Sequence, residues 1–313
     1  MHPYTSIHPD TLYVIGVVSN PVMFKSRITL ANEFVTRMKG TPQVKLVTIE
    51  MAFGVRPFEL TNTGDIHIQV RGTDEVWHKE NLINIALSRL PPEAKYIAWI
   101  DMDVEFLNPN WALDTLHALE HYKIVQPWSD CIDAGPKGQI IQTHKSFCSQ
   151  YIQGAPRGGS YGDVGPFWHC GFAWAARRDT LNKLGGMIDW AILGAGDHHM
   201  SLALIGDVKN SIPGKIHPNY VKKALHYQSL CSKWVEEDIG YVDGIIKHHW
   251  HGKKKDRKYI ERWDILVKNQ FDPEVDIIKD IQGLWHLAGN KPKLRNEIRA
   301  YFRQRNEDSI DTE

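Results

Sequence analysis

The sequence predicts an α/β protein with a mostly parallel central sheet flanked by helices and a helical C-terminal extension over residues 266–313. Three observations predict it. Residues 13–18 (YVIGVV) and 96–100 (YIAWI) are apolar on both alternating faces, the pattern of strands covered on both sides. Residues 28–38 carry Ile28, Leu30, Ala31, Phe34, Val35 and Met38 at helical spacing between two strand-like runs, which makes a strand–helix–strand opening. At 313 residues the chain can bury a large core, as one big α/β domain or one domain with an appendage.

In order, residues 13–18 form the first strand, which ends at the turn signal Ser19-Asn20-Pro21. The helix through Met38 stops at Gly40-Thr41-Pro42, and residues 44–49 form a second strand. Residues 54–64 read as a loop. Ile66, Ile68 and Val70 alternate with His67 and Gln69, which predicts a half-exposed strand. Thr73 or Asp74 can cap a helix with Leu82, Ile83, Ala86, Leu87 and Leu90 on its apolar side, ended by Pro91-Pro92. The strand at 96–100 follows, then a helix at 111–121 and a strand at 124–126. Residues 129–166 are rich in Gly, Pro, Ser and Gln without clear periodicity, so they read as a functional lid, a binding loop or a disordered segment. Residues 170–177 read as a strand, 194–205 as a glycine-opened helix, 220–237 as a helix and 245–252 as a last strand. The remainder to about Arg305 reads as helical, with a polar, frayed end.

Lys plus Arg and Asp plus Glu both number 37, so the formal net charge is zero. That argues against dominant phosphate-backbone binding and leaves room for a local basic patch. The four cysteines show no Cys-x-x-Cys pair, which points away from a cysteine zinc site or a disulfide framework. The N-terminus has no basic region followed by a long apolar run, so a soluble, cytoplasmic chain without membrane insertion is expected.

Four motifs carry chemistry. The buried strand at 96–100 runs into Asp101-Met102-Asp103. Ionised carboxylates there are costly unless something positive meets them, and ligands of open α/β sheets bind just beyond the carboxyl ends of strands. The pair therefore suggests a metal with an anionic ligand beyond it, although a turn aspartate and a capping aspartate would look the same. His248-His249-Trp250-His251, read as strand, puts His249 and His251 on one face where both can ligate one ion; a solvated strand end is the plainer explanation. Carboxylate with imidazole suits Mn²⁺ or Mg²⁺. In Gly194-Ala195-Gly196-Asp197-His198-His199, Asp197 reads either as a helix cap or as a general base in a cleft, with His198 as backup base or partner. Trp77-His78-Lys79 opens a helix that also bears Asn84, and offers an aromatic for a base and a lysine for phosphate.

The order of these pieces resembles the GT-A fold nucleotide-sugar glycosyltransferases, most specifically the β-1,4-galactosyltransferase branch. In that branch a segment reading roughly Phe-Asn-Arg-Ala-Lys-Leu-Leu-Asn precedes Asp-Val-Asp, matched loosely here by residues 77–84 and then Asp101-Met102-Asp103. Its Trp-Gly-Trp-Gly-Gly-Glu-Asp-Asp is approached by residues 192–199, and its Arg-His-Ser-Arg by Trp250-His251-Gly252-Lys253. The likeness runs over residues 10–265 as ordered short motifs, with a donor-binding half at 10–128 and a lid and acceptor half at 129–265. The chain departs from the pattern at the acidic turn, which keeps one carboxylate and lacks the tryptophans, and at Cys170-Gly171, where the branch has paired glycines.

The resemblance implies a glycosyltransferase with a nucleoside-diphosphate sugar donor, UDP being the expected nucleotide. Asp103 with His251 or His249 would hold Mn²⁺ or Mg²⁺, and Asp101 would orient the ribose or a metal water. Asn20, Trp77, Lys79, Asn84, Asp101 and Gly171 would line the donor site. Asp197 would deprotonate the acceptor hydroxyl in a single displacement with inversion. Nothing in the motifs selects the acceptor among protein, glycan, small molecule and modified nucleobase, or the oligomeric state. Two competing classes use similar residues: a metal-dependent phosphohydrolase or nucleotidyltransferase, and a non-catalytic sugar- or nucleic-acid-binding module using tryptophans and the basic run at 253–258. The turn Ser19-Asn20-Pro21-Val22-Met23-Phe24 lacks the Gly-rich phosphate loop with which a nucleotidyltransferase usually opens.

Overall fold

The computed structural model describes residues 10–157 and 167–312. Its main sheet is built on β1 (Leu12–Ser19), β2 (Val44–Phe53), β3 (Ile66–Gly72) and β4 (Tyr96–Ile100), linked by α1 (Lys25–Lys39) and α2 (Lys79–Arg89). After the short β5 (Val104–Phe106) come α3 (Trp111–His121), β6 (Ile124–Gln126), β7 (Asp130–Ala134), β8 (Ile140–Ser146) and α4 (Phe147–Ile152). Then follow β9 (Trp168–His169), β10 (Ala173–Arg177), α5 (Arg178–Leu184), α6 (Gly196–Leu204), α7 (Pro218–Trp234), β11 (Ile239–Tyr241) and β12 (Ile245–His248). The chain closes with α8 (Trp263–Lys268), β13 (Ile277–Lys279), β14 (Trp285–Leu287) and α9 (Pro292–Gln304).

The seven-stranded sheet has the order β11-β6-β10-β4-β1-β2-β3. All its pairings are parallel except those of β10, which runs antiparallel to β4 and β6. Alternate residues of β1 and β4 serve opposite cores. Tyr13, Ile15, Ile97 and Trp99 pack with α2, α6 and α7, while Val14, Ala98 and Ile100 pack with α1 and α3. Fully burying side chains such as Phe34 and Leu116 stabilises the fold by about 1.5–3 kcal/mol each. Among the described residues, no helix is long and apolar enough to cross a membrane.

Four expectations from sequence need correction. Residues 129–166 do not form one structureless loop: β7, β8 and α4 lie there, and β7 and β8 join a second sheet of order β5-β12-β7-β8-β9. The strand β8 is exposed along most of its length and has no apolar face, so it leaves no periodic signal. Residues 158–166 of that stretch lie outside the described residues. The last strand stops at His248 rather than continuing to Gly252, and the C-terminal extension holds the β13–β14 hairpin between its helices.

The polar tail is anchored, not frayed. Asp308 accepts hydrogen bonds from the backbone N–H groups of Lys25 (3.0 Å) and Ser26 (2.8 Å), so it caps α1 from the far end of the chain. Trp250 donates from Nε1 to the Ser309 carbonyl at 2.6 Å. Gly252 makes the approach possible: its φ is +84°, and a Cβ there would lie 2.8 Å from both the Asn306 carbonyl and Glu307 Cα.

Candidate active site

A cavity of about 510 Å³ opens at the carboxyl ends of β1 and β4, with Ser19, Asp101 and Asp103 at its edge. Asp101 directly follows β4 and is held there by its backbone N–H, which donates to the Phe172 carbonyl at 2.7 Å. The Asp101-Met102-Asp103 turn then enters β5. This short strand pairs antiparallel with β12, in a register that sets Val104 opposite His248, and the His249 N–H donates to the Asp103 carbonyl at 2.8 Å. A pairing between segments some 145 positions apart thus brings the late histidines to the aspartates.

The two carboxylates face different partners. Lys79, the first residue of α2, forms an ion pair with Asp101. Burial raises the Asp101 pKa, against the pull of Lys79 and with a further rise from Asp103. Asp103 instead meets His251, whose Nε2 lies 2.9 Å from Oδ2, and His248, whose Nε2 lies 3.8 Å from Oδ1. Burial opposes its ionisation, but His251 and His248 hold the carboxyl well below the usual range. Asp103 Oδ1 is buried and has no hydrogen-bond partner among the described residues. Asp103, His248 and His251 offer ligand atoms that all lie within 4.8 Å of one another.

His249 does not join them. Its Nε2 lies 2.9 Å from Glu105 Oε2. The two-residue period that would pair His249 with His251 holds only in extended strand, and β12 has ended by then. Past that point the chain turns, and His248 and His251 converge.

Asp197 lines the same cavity from the first turn of α6. The helix is entered through Gly194 and Ala195, both left-handed with φ +89° and +74°. Ala195, not Asp197, is the N-cap residue. Asp197 accepts from the His198 N–H at 2.8 Å through Oδ1. On its other side stands Gly171, where a Cβ would lie 3.1 Å from Asp197 Oδ2. His198 also lines the cavity, and burial lowers its pKa to about 4, so it is neutral near pH 7. His199 belongs to the core, bonded to the Ser211 and Tyr220 hydroxyls.

Trp77 and Lys79 line the cavity, and the Arg305 guanidinium lies 5.1 Å from the centre of the Trp77 indole. Asn20 and Asn84 are not among the lining residues. Asn20 spends its amide closing the turn onto Phe24, accepting from the N–H at 2.9 Å and donating to the carbonyl at 3.0 Å. Asn84 exchanges two hydrogen bonds with the backbone of Met187. Both are structural uses of an amide that spacing alone does not distinguish from ligand binding.

Several lining residues gave no usable signal in sequence. Glu80 is buried against Gly196, and its carboxyl is pushed up to about 7, by burial first and then by Asp197 against the pull of Lys79. Arg257 is buried, and its Nη2 lies 2.9 Å from His251 Nε2. Glu307 binds Arg27 and Arg305 at the cavity wall. Arg257 sits in a run that looks like a solvated basic face, and Arg305 and Glu307 sit in the polar tail.

No protein-family model matches the chain, and no curated protein matches it in sequence. Among solved structures it is similar to a mutant of Drosophila β1,4-galactosyltransferase 7 in complex with manganese, UDP-Gal and xylobiose. The identity is 12% and the TM-score 0.39, with 92% of this chain and 98% of that chain covered. It is similar to TarS of S. aureus, at 12% identity and TM-score 0.36, over 62% of this chain and 55% of that one. It is also similar to the 4-diphosphocytidyl-2C-methyl-D-erythritol synthase of Anaerococcus prevotii, at 11% identity and TM-score 0.33, over 75% and 89%. These likenesses are loose, and the chemistry rests on the residues of the cavity.

Proposed function

We propose that this protein is a metal-dependent glycosyltransferase that moves a sugar from a nucleoside-diphosphate sugar, expected to be a UDP sugar, to an acceptor hydroxyl with inversion. The observation that carries the reading is the gathering of Asp103, His248 and His251, whose ligand atoms lie within 4.8 Å of one another with Asp103 Oδ1 unpartnered among the described residues, in one cavity with Lys79, Asp101 and Asp197. A carboxylate and two imidazole nitrogens packed this closely, with one carboxylate oxygen unpartnered, fit a divalent cation. The donor set favours Mn²⁺ over Mg²⁺, which prefers oxygen ligands. Such an ion supplies Lewis-acid stabilisation of charge on a leaving diphosphate.

The chain's own residues do the rest. Asp103, His248 and His251 hold the ion. Lys79 fixes Asp101 and couples electrostatically to Asp197, so it ties the two halves of the cavity together. Asp197 accepts the proton of the acceptor hydroxyl, and its Oδ2 has room to do so because Gly171 carries no side chain. Trp77 offers a flat apolar face to the bound donor. A single displacement by the acceptor oxygen, with Asp197 as its base, would invert the anomeric centre.

A screen of UDP-, GDP- and CMP-sugars with and without Mn²⁺ tests the reading. Metal-dependent release of a nucleoside diphosphate from one donor class is the expected result. Release of inorganic phosphate or pyrophosphate instead would assign the cavity to a phosphohydrolase or nucleotidyltransferase.

A further inference from the structure

Asp133 is buried, 4% exposed, and it lies one strand away from the histidines. It sits on β7, which pairs in parallel with β12 in a register that sets Asp133 beside His248. Its carboxylate collects three partners. His248 Nδ1 lies 2.7 Å from Oδ1, His144 Nε2 lies 2.6 Å from Oδ2, and Lys254 reaches Oδ2 through Nζ. A carboxylate accepts, so the His248 nitrogen facing it carries the hydrogen. That leaves His248 Nε2 as a bare lone pair, 3.2 Å from His251 Nε2 and 3.8 Å from Asp103 Oδ1. Turning the His248 ring over would set ring carbons against Asp133 and the cluster, and the other tautomer would set a bare nitrogen against the carboxylate and an N–H into the cluster. The Asp133 contact therefore selects both the tautomer and the ring orientation.

We propose that Asp133 is the positioning residue of the cation site, holding His248 as the Nδ1–H tautomer with Nε2 aimed at Asp103 and His251. The proposal rests on reading those three residues as a metal site. It differs from a structural role, in which Asp133 would only neutralise Lys254 and tie β7 to β8 through His144. His144 shares the carboxylate but has no contact with Asp103 or His251 among those described. It therefore separates the two roles.

The test is Mn²⁺ alone titrated into the full chain, read by the loss of the free Mn²⁺ electron paramagnetic resonance signal, for wild type, Asp133→Asn and His144→Gln. Asparagine keeps an accepting oxygen and loses the charge. The expected result is a roughly 10–100-fold weaker Mn²⁺ affinity in Asp133→Asn, the range usual for such partners of metal-bound histidines, and wild-type affinity in His144→Gln. Equal affinity of wild type and folded Asp133→Asn overturns the positioning role and leaves the metal site standing. A wild type that binds no Mn²⁺ overturns the metal reading itself. The tautomer is checked without any Asp133 variant, by imidazole proton–nitrogen correlation spectra of the metal-free wild type, assigned against His248→Gln. A protonated Nδ1 supports the proposal, and a protonated Nε2 overturns it even if Asp133→Asn does not fold.

Discussion

His248 and His251 are three residues apart in the chain, and their Nε2 atoms stand 3.2 Å apart beside the carboxylate of Asp103. Two imidazole nitrogens at that separation share one hydrogen or one cation. Asp133 holds Nδ1 of the His248 ring, which turns the His248 Nε2 lone pair toward this space, the place that the proposed function gives to a divalent cation.

Removing a member of this group should therefore cost far more than removing the histidine between them. Asp103→Ala and His251→Ala are expected to lower Mn²⁺-dependent turnover on the order of a thousandfold, as loss of Lewis-acid stabilisation worth several kcal/mol would do. His249→Ala, which loses only Glu105 on the far side, should leave the Mn²⁺ titration unchanged. Steady-state turnover against Mn²⁺ concentration decides between them. Equal loss in His249→Ala would return the ligand set to the strand-face arrangement.

Asp197→Asn keeps the shape of the first turn of α6 and removes the base. Turnover should fall by roughly 10²–10⁴-fold, the usual contribution of a positioned base, while donor binding measured by calorimetry persists. Near-normal turnover would move the base elsewhere, with neutral His198 as the next candidate.

Gly171→Ala tests the space beside that base. The new methyl would meet Asp197 Oδ2 at 3.1 Å and the His169 ring at 3.1 Å. The carboxylate must give by a few tenths of an ångström, and a loss of roughly tenfold in turnover is expected from that displacement. Because the clash is with side chains, the fold should survive, and unchanged circular dichroism alongside the lost turnover is the expected pair of results.

Glu80 makes a prediction about pH. Its folded pKa is raised to about 7 from the ordinary 4.5. An acid with a raised folded pKa holds its proton in the folded state after the unfolded chain has lost it. Its presence therefore lowers stability progressively as pH rises from about 4.5 to 7, by an amount on the order of 3 kcal/mol once both states are ionised. Glu80→Gln removes this penalty. Its melting temperature should gain on wild type between pH 5 and pH 8, and a gap that is constant with pH would show that Glu80 is not the group responsible.

The tail should matter to stability as well as to the cavity wall. Asp308→Ala removes the acceptor for two N–H groups at the start of α1, where Phe24 supplies no side-chain cap. A loss of about 1 kcal/mol in urea denaturation is expected, the usual cost of removing a helix cap. No change would mean that water replaces the carboxylate without cost.

How much of this was legible in sequence differs by residue. The strands β1, β2 and β4 announce themselves as largely apolar runs because both of their faces are buried, and the helices α1, α2 and α3 because burial of one face imposes a period on the apolar residues. The strand β8 announces nothing, since its two isoleucines are adjacent and exposed, the rest is polar, and backbone pairing to β7 holds it. The same holds within the cavity. Asp101-Met102-Asp103 stands out because carboxylates follow a buried strand, whereas Asn20 and Asn84 match a ligand pattern yet spend their amides on the backbone.

Sequence by itself determined the layered α/β sheet, the carboxylate pair at the end of its central strand and the glycine turn that admits Asp197, because each is written in a local pattern of a few residues. Only the tertiary structure decided which groups meet. It set Asp101 on Lys79 and Asp103 on His248 and His251, turned His249 away, and brought Asp133 behind His248 and Glu307 to the cavity wall. Those choices come from strand register between distant segments and from where a strand ends, and neither leaves a period in the sequence.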